Sequence, residues 1–379
     1  MFQTPVRVVQ TLRPQIAPGI LTATAVSTVV FSATPFLIRG VARDQGVDVS
    51  TVAVISTAQL AGFSLTTWAA GRFLRARRTM LVLAVAIGVV ANLASGWAPW
   101  FSFLVATRLV SGVSLGLIAW IAWAEVFGDD DKVGDVAVIG PLVGTVASPI
   151  IATIINRSGP DLLFYGLAAI YLIPLLFIRG THLDAAARPK HPRHRPTRAA
   201  AAVLIALGMV TCGGSAVFLF VSVIGQDRVG LSPMVVSLAF SANALASVPS
   251  ARYRGERRLP GMWMGVTGAM AVLICVVQQP AVFWIALPVW GFAFWMGVPG
   301  AFTLLAERSK FPQERAGDAQ SIMAAGRVVG PLIGGAMWAI SPTALGIVGG
   351  GIMVAAGVLM LYVEWRIRPH VLGGLVRQP

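Results

Sequence analysis

The chain has 379 residues, 56% of them hydrophobic and 12% charged, with a formal net charge of +14 and a mean hydropathy of +0.78. That balance excludes a soluble globular domain and describes an integral membrane protein. In a soluble protein the charge would suggest nucleic acid; here its distribution among the loops carries the information, and no nucleic-acid partner is expected.

Apolar stretches of about 20 residues, enough to cross roughly 30 Å of hydrocarbon as helix, recur along the whole sequence. Backbone groups in lipid must be satisfied within their own segment, so the spans are expected to be helices; strands of a barrel would alternate in polarity. Twelve spans are predicted, at 16–38, 50–71, 79–97, 100–124, 135–156, 161–179, 199–224, 232–251, 261–279, 281–306, 318–340 and 343–366. The opening "MFQTPVRVVQTLRPQ" carries no cleavage-site pattern, so no removed signal peptide is expected. Span one carries Thr24, Ser27, Thr28, Ser32 and Thr34, and span eight Asn243, as neutral hydrogen-bonding groups.

Of the 29 Lys and Arg residues, Arg39, Arg43, Arg157 and Arg228 fall on one side, Arg108 and Arg327 within spans, and all others in the termini and the alternate loops. By the positive-inside rule both termini are expected in the cytoplasm; the expected location is a plasma membrane of the bacterial inner-membrane type. Trp97 and Trp100, beside a short outer connection, fit interfacial anchors. Cys212 and Cys275 lie in apolar segments, expected as inert thiols.

The halves repeat. "GRFLRARR" (71–78) and "ARYRGERR" (251–258) align at an offset of 180, and Glu125 matches Glu307 at 182. The expected organisation is a six-helix bundle over 1–178, a basic, proline-containing linker over 179–198, and a second six-helix bundle over 199–379. The linker's "HPRH" reads as a solvated charge run, with no metal site expected. Paired six-helix units are how secondary transporters build alternating access about a central site.

Three motifs carry a family resemblance. "GRVVGPLIGG" (326–335) fits Gly-x-x-x-Gly-Pro-x-x-Gly-Gly at every fixed position, and "GTVASPIIAT" (144–153) is its weaker counterpart in span five. "RLVSGVSLG" (108–116) is similar to Arg-x-x-Gln-Gly of helix four, with Ser111 in place of Gln. "GRFLRARR" is similar to Asp-Arg-x-Gly-Arg-Arg, with Gly71 at the Asp position and Leu74 at the Gly position. Together they resemble the major facilitator superfamily along the entire chain. The resemblance implies an all-α membrane protein of twelve transmembrane helices in two pseudo-repeats around a central cavity, related to drug/proton antiporters or sugar-efflux exporters. In that family the glycine-proline motif is usual in helix five of exporters, whereas here the full form is in span eleven.

The motif residues Gly144, Pro149, Gly326, Gly330, Pro331, Gly334 and Gly335 are expected to pack and bend helices, since small residues let backbones approach and proline removes a hydrogen bond. Arg108 and Arg327 are the charges deep in spans, where a charge normally faces a cavity or a partner. They are candidate substrate-binding residues, with Gln59, Asn243, Trp120, Trp123, Trp290 and Trp295; Trp68 is a further aromatic wall. For Arg108 the resemblance adds a role in substrate binding or proton transfer. Alternatively, both arginines are held structurally by carbonyls freed near prolines. The resemblance also implies a cytoplasmic gate in which Arg72, Arg77 and Arg78 pair with Glu125, and Arg252, Arg257 and Arg258 with Glu307. No carboxylate occupies mid-span, which leaves Asp44, Asp48, Asp135 and Asp318 as proton-coupling candidates against the simpler reading of solvated or capping residues.

The expected function is secondary active transport of a small neutral or anionic organic solute, by proton-coupled efflux. Uptake, facilitation, or a non-transporting receptor or lipid scramblase on the same fold remain open. No enzyme activity is expected, since all four histidines fall in extramembrane segments and no span holds paired carboxylates. No cofactor is expected, and the sequence has no Gly-x-x-x-x-Gly-Lys loop for ATP. The expected partners are membrane lipid, the solute and, in a coupled mechanism, protons, and a monomer is the expected state.

Overall fold

A computed structural model describes residues 16–126, 130–180, 194–253 and 255–372. Proline and glycine punctuate its helices. The first, α1 (Pro18–Gln45), begins with Pro18 in its first turn, where the missing N–H costs nothing, and ends at Gly46, whose φ of 62° turns the chain so that the following Val47 N–H also returns to the Ala42 carbonyl, at 3.0 Å. Then come α2 (Val49–Phe73), α3 (Arg78–Gly96) and α4 (Phe101–Val126).

A continuous helical assignment, Asp130–Ile170, follows, but Gly159 interrupts it with φ 80° and ψ 175°, just before Pro160. The apolar stretch containing this break, Val138–Leu176, has 39 residues. As one straight helix it would be about 58 Å long, close to twice the hydrocarbon thickness. It is therefore two crossings, α5 (130–158) and α6 (160–170), the latter prolonged by a turn at Ile173–Leu176.

The second half repeats the pattern with α7 (Arg198–Phe218, prolonged by Val221–Asp227), α8 (Pro233–Ala251), α9 (Pro260–Val276), α10 (Pro280–Glu307) and α11 (Pro312–Ile340). The last, α12, runs through Pro342–Leu345, a π turn at Gly346–Gly350, and Gly351–Leu372. Side-chain caps start α7, where Thr197 accepts from Ala200 N–H, and α8, where Ser232 accepts from Val235 N–H. Among the described residues ten apolar stretches are long enough to cross a membrane; the break at Gly159 divides one of them into two crossings, and α9, at 17 residues, completes the set.

Two limits depart from the hydropathy reading. Nothing breaks the helix between residues 38 and 46, so α1 carries Arg39, Arg43 and Asp44 on its last two turns instead of in a loop. Likewise α11 starts at Pro312, six residues before the expected limit, and Asp318 lies in its second turn. Both extra stretches are polar helix beyond the apolar span, invisible to a hydropathy window.

Helices of the first six meet helices of the last six at named contacts. The Ser241 hydroxyl of α8 donates to the Thr145 carbonyl of α5 at 2.7 Å. Phe36 of α1 packs on Phe240 of α8 with centroids 4.9 Å apart. On the face opposite the termini, Arg39 of α1 pairs with Asp227 at 3.2 Å and donates to the Gln226 side chain at 2.9 Å. On that same face, Gly335 of α11 lies so close to α2 that an added Cβ would sit 2.6 Å from the Ser50 carbonyl oxygen.

Candidate functional site

The backbones of α2 and α4 cross closely because Gly62 and Gly112 face each other's helix; a Cβ on Gly112 would collide with the Gln59 carbonyl. Arg108, one turn before Gly112, is thereby set beside Gln59. Its Nη2 donates to Gln59 Oε1 at 2.8 Å and its Nε to the same oxygen at 3.3 Å. Its Nη1 donates to Asn92 Oδ1 of α3 at 3.0 Å and reaches Ser95 Oγ at 3.5 Å. The Phe164 ring of α6 lies 5.1 Å from the guanidinium carbon. Arg108 is 1% exposed, so its charge is satisfied by neutral acceptors within the first six helices, with Gln59 between it and the space beyond.

That space is a cavity of about 210 Å³ between α1, α2, α7 and α11. Phe31, Thr34 and Pro35 line it from α1; Ser56, Gln59 and Leu60 from α2; Ser215, Phe218 and Leu219 from α7 and its extension; Pro331 from α11. Its walls differ. The α2 wall is polar at Ser56 and Gln59, three residues apart on one helix face. Facing it, Phe218 is backed by Trp290 at 5.7 Å and by Phe240 at 5.3 Å.

Arg327 is outside the lining. It lies one turn from Pro331 on the same stripe of α11, in the direction of the chain termini, and is partly accessible. No hydrogen bond or ion pair to Arg327 forms among the described residues. The glycines beside it behave as close-packing residues: a Cβ on Gly326, Gly330 or Gly334 would run into the α7 backbone. Their counterpart Gly144 in α5 is looser, its Cβ position 3.4 Å from Ala244 of α8. Pro149 and Pro331 lie inside α5 and α11.

Of the remaining candidates, Gln59 alone reaches the cavity. Trp290 is buried behind Phe218; Trp120 packs on the core; Trp123 and Trp68 are exposed on the bundle's outside, Trp68 under the Arg72 guanidinium at 4.3 Å; Trp295 contacts Phe294. Asn243 ties α8 to α10 by donating to the Leu287 carbonyl at 2.6 Å. The expected aromatic walls are therefore phenylalanines.

The gate residues do not meet as the repeat suggests. Arg257 donates to the Ser250 carbonyl at 2.9 Å, closing the end of α8, and burial pulls its guanidinium below the ordinary range. Arg258 pairs with Glu256 of its own loop at 2.8 Å, which raises its guanidinium. Arg77, Arg78 and Arg252 are exposed, and neither Glu125 nor Glu307 forms an ion pair with the described loop arginines. Asp44 accepts from the neighbouring Arg43 at 3.1 Å; Asp48 occupies the N-cap position of α2 without a side-chain cap bond; Asp318 pairs with Arg315. The Asp135 side chain lies outside the described residues. In the linker, His194 is docked and not simply solvated: its Nδ1 lies 2.9 Å from Glu314 Oε1 and its ring stacks on Phe311 at 3.8 Å. His191 lies outside the described residues.

Sequence reasoning missed Ser56, Phe31 and Phe218. For Ser56 the available signal was its place one turn before Gln59.

A sequence model of the Major Facilitator Superfamily matches residues 20–327. The chain belongs to that superfamily. Among solved structures, the bacterial homologue of the human lysosomal transporter Spinster, in an inward-facing unoccupied conformation, aligns at TM-score 0.68 and 12% identity, covering 96% of this chain and 96% of its own. The nucleoside transporter NupG aligns at TM-score 0.71 and 12% identity over 91% of this chain and 98% of its own. The human organic anion transporter MFSD10 (TETRAN) aligns at 0.64 and 16% over 94% and 100%. At these identities the likeness is one of fold. Comparison with curated proteins finds no match. The chain is accordingly a multi-pass membrane protein of a transporter family.

Proposed function

We propose that this protein is a secondary active transporter that exports a small neutral or anionic organic solute through the α1–α2–α7–α11 cavity by alternating access, in exchange for protons. The observation that carries the reading is the cavity itself, closed on the face opposite the termini by helices from both halves and lined by one polar and one aromatic wall. Arg108 behind the polar wall and Arg327 one turn below Pro331 give the region a positive field. That field opposes organic cations and favours neutral or anionic solutes. The protein works in a plasma membrane as a monomer with cytoplasmic termini, without a cofactor, an enzyme activity or a nucleic-acid partner.

Purified protein reconstituted in proteoliposomes tests this. A panel of neutral, anionic and cationic organic solutes should show flux of the first two classes, accelerated by an opposing pH gradient and reduced by Arg327→Ala. Flux indifferent to the gradient would remove the proton coupling. Absence of flux for every solute, with lipid exchange intact, would favour the scramblase alternative.

A further inference from the structure

Of the buried side-chain polar atoms that lack a hydrogen-bond partner among the described residues, two belong to residues that line the cavity: Gln59 Nε2 and Ser56 Oγ. Gln59 is 3% and Ser56 2% exposed. An orphaned buried polar atom is costly, and a native protein that retains one beside a cavity points to a partner arriving from it.

The chemistry of that partner follows from the amide's orientation. Gln59 Oε1 takes two N–H groups from Arg108, a donor without acceptor capacity, so the amide cannot rotate by a half-turn without setting its NH₂ against the guanidinium. The free end of Gln59 is therefore a donor. Drawing on Oε1, the cationic Arg108 polarises the amide and strengthens that donor. Other hydroxyls of the lining bond to their own helices: Ser215 donates to the Thr211 carbonyl at 2.7 Å and Thr34 points at the Val30 carbonyl at 3.5 Å. Ser56 makes no such bond and keeps its proton free.

We infer that Gln59 Nε2 and Ser56 Oγ form a paired donor site for an acceptor oxygen, carboxylate or carbonyl, of a solute whose apolar part lies against Phe31 and Phe218. Arg108 is a positioning residue: it never touches the solute, but it fixes which end of Gln59 does. This deepens the reading that the cavity holds the transported solute, and rests on it.

Binding of benzoate, benzamide and benzylammonium to the purified full-length protein, followed by thermal shift, tests the inference. Benzoate and benzamide present acceptor oxygens and should bind; benzylammonium, a donor facing donors, should bind at least about tenfold more weakly. Gln59→Glu is the informative variant. Its carboxylate pairs with Arg108 and keeps the fold, yet it presents no amide N–H, so affinity for benzoate and benzamide should fall about tenfold or more. Phe218→Trp fills the cavity and separates the two readings. If it abolishes benzoate binding while Gln59→Glu leaves binding intact, the site stands and the donor assignment is overturned. If Phe218→Trp leaves benzoate binding unchanged, the cavity is not the site and both fail. Equal binding of benzylammonium, or no binding of benzoate by the wild-type protein at millimolar concentration, also overturns the inference.

Discussion

The offset of 182 that aligns Glu125 with Glu307 sets Arg108 of α4 on Trp290 of α10. Both side chains are buried, 1% and 4% exposed, and each stands directly behind a cavity-lining residue: Arg108 behind Gln59, Trp290 behind Phe218. Two equivalent positions of one repeated fold thus solve the same support problem with opposite chemistry. In the first half directional hydrogen bonds fix an amide; in the second, ring shape fixes a ring. A cavity with one wall of each kind suits a solute with a polar end and an apolar end, whereas two identical walls would not orient it.

The two supports should fail differently. Arg108→Ala leaves Gln59 Oε1, Asn92 Oδ1 and a Ser95 contact unmatched, each worth about 1–3 kcal/mol, for a total of about 5 kcal/mol of stability. Arg108→Lys should recover little, because a point charge cannot reproduce the planar fork that joins α2 to α3. Trp290→Ala removes shape only and should cost about 3 kcal/mol, the low end for such truncations, with Trp290→Phe recovering most of it. Thermal unfolding of the four variants in one detergent checks the contrast; similar recovery by both conservative variants would erase it.

A smaller difference of the same kind separates the paired motifs of α5 and α11. Gly326→Ala drives a Cβ to 2.5 Å from Thr211 Oγ1 and should cost about 1–3 kcal/mol through overpacking. Gly144→Ala meets only Ala244 at 3.4 Å and Ser32 Oγ at 3.8 Å, and should shift stability by no more than about 0.5 kcal/mol. Equal costs would show that the α5 crossing is as tight in the membrane as the α11 crossing.

Much of this fold was legible because the spans are apolar and their ends are written in Pro18, Gly46, Pro233, Pro260, Pro280 and Pro342. The polar turns after residue 38 and before residue 318 were not, because a helix that leaves the bilayer keeps its hydrogen bonds and loses only its hydropathy signal. Arg108 and Gln59 stood out as polar residues in apolar surroundings. Asn92 and Ser95 did not, because only the way α3 meets α4 aims them at the guanidinium. Tryptophans were the natural aromatic candidates, but which of the 18 phenylalanines reaches the cavity depends on how α1 and α7 are rotated, and composition carries no record of that. The expected pairing of Arg257 and Arg258 with Glu307 overlooked nearer partners: the carbonyls ending α8 and Glu256 in the same loop.

The smallest energetic effect, with the most specific readout, is expected where the two halves touch on the face opposite the termini. The Arg39 and Asp227 side chains are 55% and 36% exposed, and a pair so accessible contributes only about 0–1 kcal/mol. Arg39→Ala should therefore leave thermal stability nearly unchanged. The pair nevertheless joins α1 to the extension of α7, and opening this face must break it, so its whole contribution falls on the closed state. Losing up to about 1 kcal/mol there raises the open population by up to about fivefold. The measurement is maleimide labelling of Ala53→Cys, placed where Gly335 now covers α2, in protein with Cys212 and Cys275 replaced by alanine. Arg39→Ala should label up to about fivefold faster than the Arg39 parent, and Arg39→Asp combined with Asp227→Arg should return the rate to that of the parent. Faster labelling that the charge swap fails to reverse would assign the effect to lost packing of the Arg39 stem and not to the ion pair.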